Sequence, residues 1–233
     1  MDGHREIVFD TETTGFDAWG DDRITEVGAI ELIDLLPTGR SFHTYCHPDR
    51  EISEKVTQIT GITIEMLERE KAPRFPEIAQ KFLDFIGDSP LIAHNADFDR
   101  NFINAEMERA GFERLPQKRF IDTLKIAREK FPGSPASLDA LCKRFGISLA
   151  GRVNHGAVID SELLADVYLE LKGGRAHKLD FGGGAANSVM ASAREKAAQR
   201  PAPLTSRLSQ AEIEAHAAFI ESLGDKAIWA KIS

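Results

Sequence analysis

The chain has 233 residues, 42% hydrophobic and 28% charged, which is ordinary for a soluble globular protein and enough for one well-filled core plus a tail. A formal net charge of −8 argues against a protein that grips duplex DNA through a broad basic face, because such binding depends on many Lys and Arg contacts to phosphate. It is compatible with an enzyme that handles a strand end at a local acidic site, where bound cations supply the positive charge.

No run approaches the ~18 apolar residues of a membrane span, and Met1–Arg5 leads straight into Glu6-Ile7-Val8-Phe9 without the zones of a signal peptide. Cys46 and Cys142 are too few and too far apart for a disulfide framework or a zinc cluster. The expectation is a reduced, cytoplasmic protein.

Residues 5–12 alternate, with Val8, Asp10 and Glu12 on one side and Ile7, Phe9 and Thr11 on the other, which predicts a strand ending at a polar edge. Ile24–Ile33 and Ser41–Cys46 read as two more strands joined by a turn around Pro37-Thr38-Gly39. Short helical pieces follow near 53–60 and 63–69, with a better one from Pro76 to Ile86. Leu91-Ile92-Ala93 reads as a short buried strand, Phe98 to Ala110 as a helix, and Phe120-Ile121 as a strand. Helices at about 123–130, 137–145 and 157–171 complete an α/β domain over residues 1–172, a mixed sheet with helices packed against it.

From Gly173 the composition changes to Gly-, Ala- and Ser-rich, the signature of a flexible linker over 173–206. Order is expected to return in 207–233, where Ser209-Gln210-Ala211-Glu212 has the capping-box pattern. An amphipathic helix after a long linker, too small to fold alone, reads as a docking segment; the alternative is a helix packed back on its own domain.

Three clusters carry chemistry. Asp10 and Glu12 sit two apart on one strand, so both carboxylates leave the same face; alone, such a pair more often caps loops or pairs with Arg. His94-Asn95-Ala96-Asp97-Phe98-Asp99 opens a helix, where Asp is also a favourable first-turn residue. His155-Gly156-Ala157-Val158-Ile159-Asp160 opens another. Taken together, four carboxylates at element ends and one loop histidine form the inventory of a two-metal phosphoryl-transfer site. Hard oxygen ligands suit Mg²⁺ or Mn²⁺, and a neutral histidine can take the proton from an attacking water.

Phe9-Asp10-Thr11-Glu12-Thr13-Thr14-Gly15, His94-Asn95-x-x-Phe98-Asp99 and His155-Gly156-Ala157-x-x-Asp160 resemble, in order, the three exonuclease motifs of the DEDD superfamily, and the histidine five residues before the last Asp resembles its DEDDh branch. Within that branch the chain is similar to the epsilon-subunit family of bacterial DNA polymerase III, densely over residues 5–172 and again at Glu212-Ile213-x-Ala215-His216 and Trp229. The resemblance implies a ribonuclease H-like fold and a 3′→5′ exonuclease that releases nucleoside monophosphates from DNA in proofreading. It implies metal binding by Asp10, Glu12, Asp99 and Asp160, His155 as general base, and an approach of Thr13 and Phe98 to the terminal nucleotide, although an aromatic such as Phe98 is more often core. Asp97 stands where relatives often carry a small uncharged residue and is left out of the metal set; Asp122 is assigned a supporting structural role. The implied partners are a DNA 3′ end, the polymerase catalytic subunit through the carboxyl-terminal segment, and the sliding clamp, weakly, through Ala176-His177-Lys178-Leu179-Asp180-Phe181, which lacks the usual leading Gln.

Two other readings use the same residues: a stand-alone 3′ exonuclease trimming RNA or short oligonucleotides, and a non-catalytic scaffold subunit. The linker and docking helix weigh against the first, and the full set of five catalytic-type residues against the second. A regulatory DNA-binding module fails on the acidic balance.

Overall fold

The computed structural model describes residues 3–150, 155–174 and 209–223, and the chain divides into two compact units, Met1–Gly182 and Gly183–Ser233. The expected linker beyond Gly174, the segment 176–181 and Trp229 lie outside the described residues.

The first unit is organised by a five-stranded mixed sheet of order β3-β2-β1-β4-β5. Strands β1 (Arg5–Thr13), β2 (Ile24–Ile33) and β3 (Leu36–Tyr45) form an antiparallel meander, whereas β4 (Leu91–Ala93) and β5 (Phe120–Asp122) run parallel to β1. The meander followed by alternating strands and helices gives the mixed sheet that the sequence predicts.

One local expectation is corrected. The chain does not reverse around Pro37–Gly39 but at Asp34 and Leu35, which take left-handed φ values of 50° and 68°, so that Ile33 pairs directly with Leu36. Two central residues with positive φ give a hairpin the twist its strands require. Asp34 is anchored there: its Oδ1 accepts the His4 N–H at 2.9 Å and its own N–H donates to the His4 carbonyl at 2.9 Å. Pro37 therefore lies within β3, an edge strand, where a missing N–H is tolerated.

Alternation along the strands separates two cores. Ile7, Phe9, Val27, Ala29, Leu91 and Ala93 pack with α3 (Phe75–Ile86) and α4 (Ala96–Arg109) through Ile78, Phe82, Phe102 and Ile103. Val8, Ile30, Leu32 and Ile92 face Leu164, Ala165 and Tyr168 of α7 (Ala157–Leu171). The outer side of α7, through Leu163, Val167 and Leu171, packs with residues of α5 (Thr123–Lys130) and α6 (Leu138–Phe145). Helix α7 is thus apolar on most of its circumference because it is enclosed on two sides. Each of these fully buried large side chains contributes about 1.5–3 kcal/mol. Short helices α1 (Glu54–Thr60) and α2 (Ile64–Arg69) start at Ser53 and Thr63, whose side chains accept first-turn N–H groups.

In the second unit α8 (Gln210–Leu223) opens with the expected reciprocal cap: the Ser209 N–H donates to Glu212 Oε2 at 2.8 Å and the Glu212 N–H to Ser209 Oγ at 3.3 Å. Ile213 and Phe219 on this helix are exposed. Both cysteines are unbridged and buried. Among the described residues no helix is long and apolar enough to cross a membrane.

The first turn of α7 lies directly against β2. A Cβ placed on Gly28 would come within 2.4 Å of the Ala157 carbonyl carbon and 2.5 Å of the Val158 nitrogen, both backbone atoms that cannot swing aside. Gly28→Ala is expected to destabilise the protein by an amount at the top of the ~1–3 kcal/mol range for overpacking or beyond it, read as a lowered midpoint in urea unfolding.

Candidate active site

The carboxyl end of β1 and the amino ends of two helices meet at one place. Asp10 pairs in register with Gly28 and Glu12 with Glu26, so both carboxylates rise on the α7 face of the sheet. Asp160 lies in the first turn of α7 and is buried. Asp99 arrives from the opposite layer, in the first turn of α4, also buried. It is tied to β1 by Thr11, whose backbone N–H and hydroxyl donate to Asp99 Oδ1 at 3.1 and 2.8 Å. Both helices direct their N-terminal partial positive charge at the cluster, which favours carboxylates there. This is also the end of the parallel strands β1 and β4, where open α/β sheets place their ligands.

His155 precedes α7. Its backbone N–H donates to the Ile59 carbonyl at 3.0 Å, and its Nδ1 lies 3.2 Å from Asp160 Oδ2 with the ring half-exposed. Donor atoms of Glu12, His155 and Asp160 lie within 4.8 Å of one another. The structure therefore brings Asp10, Glu12, Asp99, Asp160 and His155 together. The donor set is mostly hard oxygen, which fits a divalent cation.

Other residues singled out from the sequence lie around this cluster. Thr13 is buried and its hydroxyl donates to the Gly15 carbonyl at 2.7 Å. Phe98 is partly buried, tilted on Phe102 with ring centroids 4.9 Å apart and meeting the edge of Phe16 at 6.2 Å. Asp97 turns outward to Arg100 at 2.7 Å and Lys125 at 3.4 Å. Asp122 Oδ1 accepts from the Asn95 N–H at 3.1 Å and the Leu124 N–H at 2.9 Å, joining the start of α5 to the left-handed Asn95 that leads into α4.

Sequence reasoning did not single out Thr11, Glu26 or Phe16. Thr11 was readable only as the inward member of the alternation. Glu26 was detectable as an acidic residue in a mostly apolar strand that also holds Glu31, and Phe16, 87% exposed, had no sequence signal of its exposure.

The sequence profile of the exonuclease family (RNase_T) matches residues 7–168. The chain is 49% identical over 178 residues to the DNA polymerase III subunit epsilon of Rickettsia felis, covering 75% of this chain and 77% of the relative. It is 37% identical over 246 residues to the protein of that name from Haemophilus influenzae, covering 98% of this chain and 95% of the relative. Among solved structures, exonuclease X in complex with 5′ overhanging duplex DNA superimposes with a TM-score of 0.56 at 26% identity, covering 71% of this chain and 89% of the other.

Concentrating acid at one point has an electrostatic cost. Burial first, then the charges of Asp99, Glu12, Asp160 and Glu26, push Asp10 well above the ordinary carboxylate range. Asp99 is pushed to about 7, mainly by burial, against the hydrogen bonds from Thr11 that favour its ionised form. A carboxyl raised in the folded state binds its proton more tightly there than in the unfolded chain. The associated stability is therefore fully present below about pH 4 and lost as pH rises through about 7. In chelator, the melting temperature is expected to fall between pH 5 and pH 8, and Asp10→Asn to raise it at pH 8 by several degrees. An unchanged or lower value in that variant would show that the cluster is not under electrostatic strain.

Proposed function

This chain belongs to the exonuclease family and, within it, to the epsilon subunits of bacterial DNA polymerase III, and on that premise we propose that the five-residue cluster is the catalytic centre of a proofreading 3′→5′ exonuclease acting on DNA. The observation that carries the assignment is the convergence of Glu12, His155 and Asp160 donor atoms within 4.8 Å, beside Asp10 and Asp99.

In this reading Asp10, Glu12, Asp99 and Asp160 hold two divalent cations, Mg²⁺ or Mn²⁺, directly or through water. When bound, such ions supply charge stabilisation for the attacking and leaving oxygens of an in-line displacement. The protein's own groups do the rest. Thr11 holds Asp99 by two hydrogen bonds, so that this carboxylate keeps its orientation before substrate arrives. With Asp160 accepting from Nδ1 of His155, the imidazole carries its proton on Nδ1 and its basic lone pair on Nε2. Nε2 takes the proton from the water whose oxygen bonds to the terminal phosphorus. The phosphorus–O3′ bond breaks and the departing O3′ takes a proton from solvent water, giving a nucleoside 5′-monophosphate and a shortened strand with a new 3′-hydroxyl. Phe98 and the exposed Phe16 offer aromatic edges to the terminal base, and Thr13 with its adjoining backbone lines the approach.

The partner reading assigns residues 1–172 to catalysis, 173–206 to a linker and 207–233 to docking on the polymerase catalytic subunit. The exposed Ile213 and Phe219 of α8 support it, as does an alignment with the Haemophilus influenzae epsilon subunit that spans 98% of the chain. Segment 176–181 is the proposed weak contact to the sliding clamp. A reduced, cytoplasmic setting completes the picture.

A 5′-labelled DNA single strand should shorten from its 3′ end with Mg²⁺ or Mn²⁺ and stay intact in chelator; a ladder on RNA alone would replace the proofreading reading with RNA trimming. Asp10→Ala combined with Glu12→Ala should lower kcat by more than the ~10–100-fold typical of losing an outer-shell group, with the fold intact by circular dichroism. Deleting residues 207–233 should spare single-strand hydrolysis but abolish co-purification with the polymerase subunit, and retained co-purification would place docking elsewhere.

A further inference from the structure

Helix α7 carries Asp160 in its first turn and directly follows His155, yet its own start is poorly equipped. Its N-cap is Gly156, which has no side chain to accept a first-turn N–H. Four other helices, α1, α2, α5 and α6, are capped by their own Ser53, Thr63, Asp122 and Ser137. The acceptor missing from α7 comes from a different element. Glu26 of β2, 131 positions earlier in the chain, accepts the Ala157 N–H through Oε2 at 3.0 Å. Its other oxygen, Oε1, lies 2.7 Å from Nε2 of His43 on β3.

Glu26 is only 4% exposed. A carboxylate there is costly unless both oxygens are satisfied, and each has a partner. Two further ties fix the same turn of helix to the same strand: Ser161 Oγ donates to the Gly28 carbonyl at 3.2 Å, and Gly28 has no side chain to hold the helix off. Since Glu26 is also the cross-strand partner of Glu12, one ladder step and one hydrogen bond connect the β1 carboxylates to the backbone of α7.

The geometry points to Glu26, oriented by His43, as a positioning residue that caps α7 from across the sheet and thereby sets the spacing of Asp160 and His155 from Glu12. This rests on the exonuclease reading above. It also accounts for the tolerance of glycine at position 156: a cap supplied by β2 removes the need for one in the helix sequence.

The test compares wild type, Glu26→Ala, Glu26→Gln and Glu26→Ala with Gly156→Ser. The readouts are amide exchange at Ala157 in metal-free protein, and kcat and KM for a DNA 3′ end with Mg²⁺. Glu26→Ala should lose about 10–100-fold in kcat with KM little changed, and Ala157 should exchange faster. Glu26→Gln keeps a carbonyl acceptor for Ala157 and should remain within a few-fold of wild type. Gly156 has extended backbone, φ −153° and ψ 133°, open to any residue, so Gly156→Ser can restore a cap within the helix itself. The double variant should recover part of both the rate and the protection. A folded Glu26→Ala protein with wild-type kcat or wild-type Ala157 exchange overturns the proposal. So does a loss that neither Glu26→Gln nor the double variant relieves, which would make Glu26 a packing residue. If Glu26→Ala does not fold, His43→Ala, which removes only the outer support, should still speed Ala157 exchange and lower kcat, and its failure to do so counts equally against the idea. A wild-type protein without nuclease activity would sink the exonuclease reading instead, while the exchange measurement would still decide the cap.

Discussion

Mutual repulsion among carboxylates is the constraint around which this unit is built. Asp10, Glu12, Asp99 and Asp160 would separate if carried on loops, since like charges in a poorly hydrated pocket each raise the cost of ionising the next. They are instead fixed on the least yielding parts of the backbone: the end of a central strand and the first turns of two helices. The helix ends contribute partial positive charge, and the Thr11 donors hold Asp99 in place. What remains of the repulsion suits the divalent cations proposed for the cluster, whose positive charge would offset it.

The surrounding polar network acts on the loop between β1 and β2, which borders the cluster. Arg23 makes two hydrogen bonds to the buried Glu106 of α4, at 2.5 and 2.7 Å. Arg109 of α4 donates to the Ala18 and Gly20 carbonyls, and Asp22 accepts from Thr14 and from the Asp17 N–H. Residues 14–23 are thus tied to α4 although several of them face solvent, which is how Phe16 stays beside Phe98 despite its exposure. Bidentate arginine–carboxylate pairing of this kind gives orientation as well as energy, and here orientation matters more, because the loop carries Phe16, one of the residues proposed to meet the terminal nucleotide.

Most of the secondary structure was legible because it follows from period. The alternation of Ile7, Phe9 and Thr11 against Val8, Asp10 and Glu12 fixed both β1 and the face of its carboxylates, and the run Leu91-Ile92-Ala93 stood out between polar neighbours. The hairpin turn was misplaced because Pro37-Thr38-Gly39 has turn composition, while Leu35 adopts a left-handed conformation that leucine seldom does. Glu26 was visible as a break in an apolar pattern, but its role depends on a contact spanning 131 positions, which no local pattern encodes. Thr11 is the same case: its bonds to Asp99 cross from one layer to the other and exist only in the assembled fold.

The alternation in β1 has a bearing on how the sheet finds its pairing. A slip of one residue between β1 and β2 would exchange the two faces of β1. Asp10 and Glu12 would then be driven among Phe82, Phe102 and Ile103, while Ile7 and Phe9 would be turned toward α7. Two uncompensated charges in that hydrocarbon layer make the slipped arrangement far less favourable than a merely mispacked strand. The acidic residues proposed for chemistry therefore also guard the fidelity of assembly, rejecting the nearest wrong alignment before any metal or nucleic acid is bound.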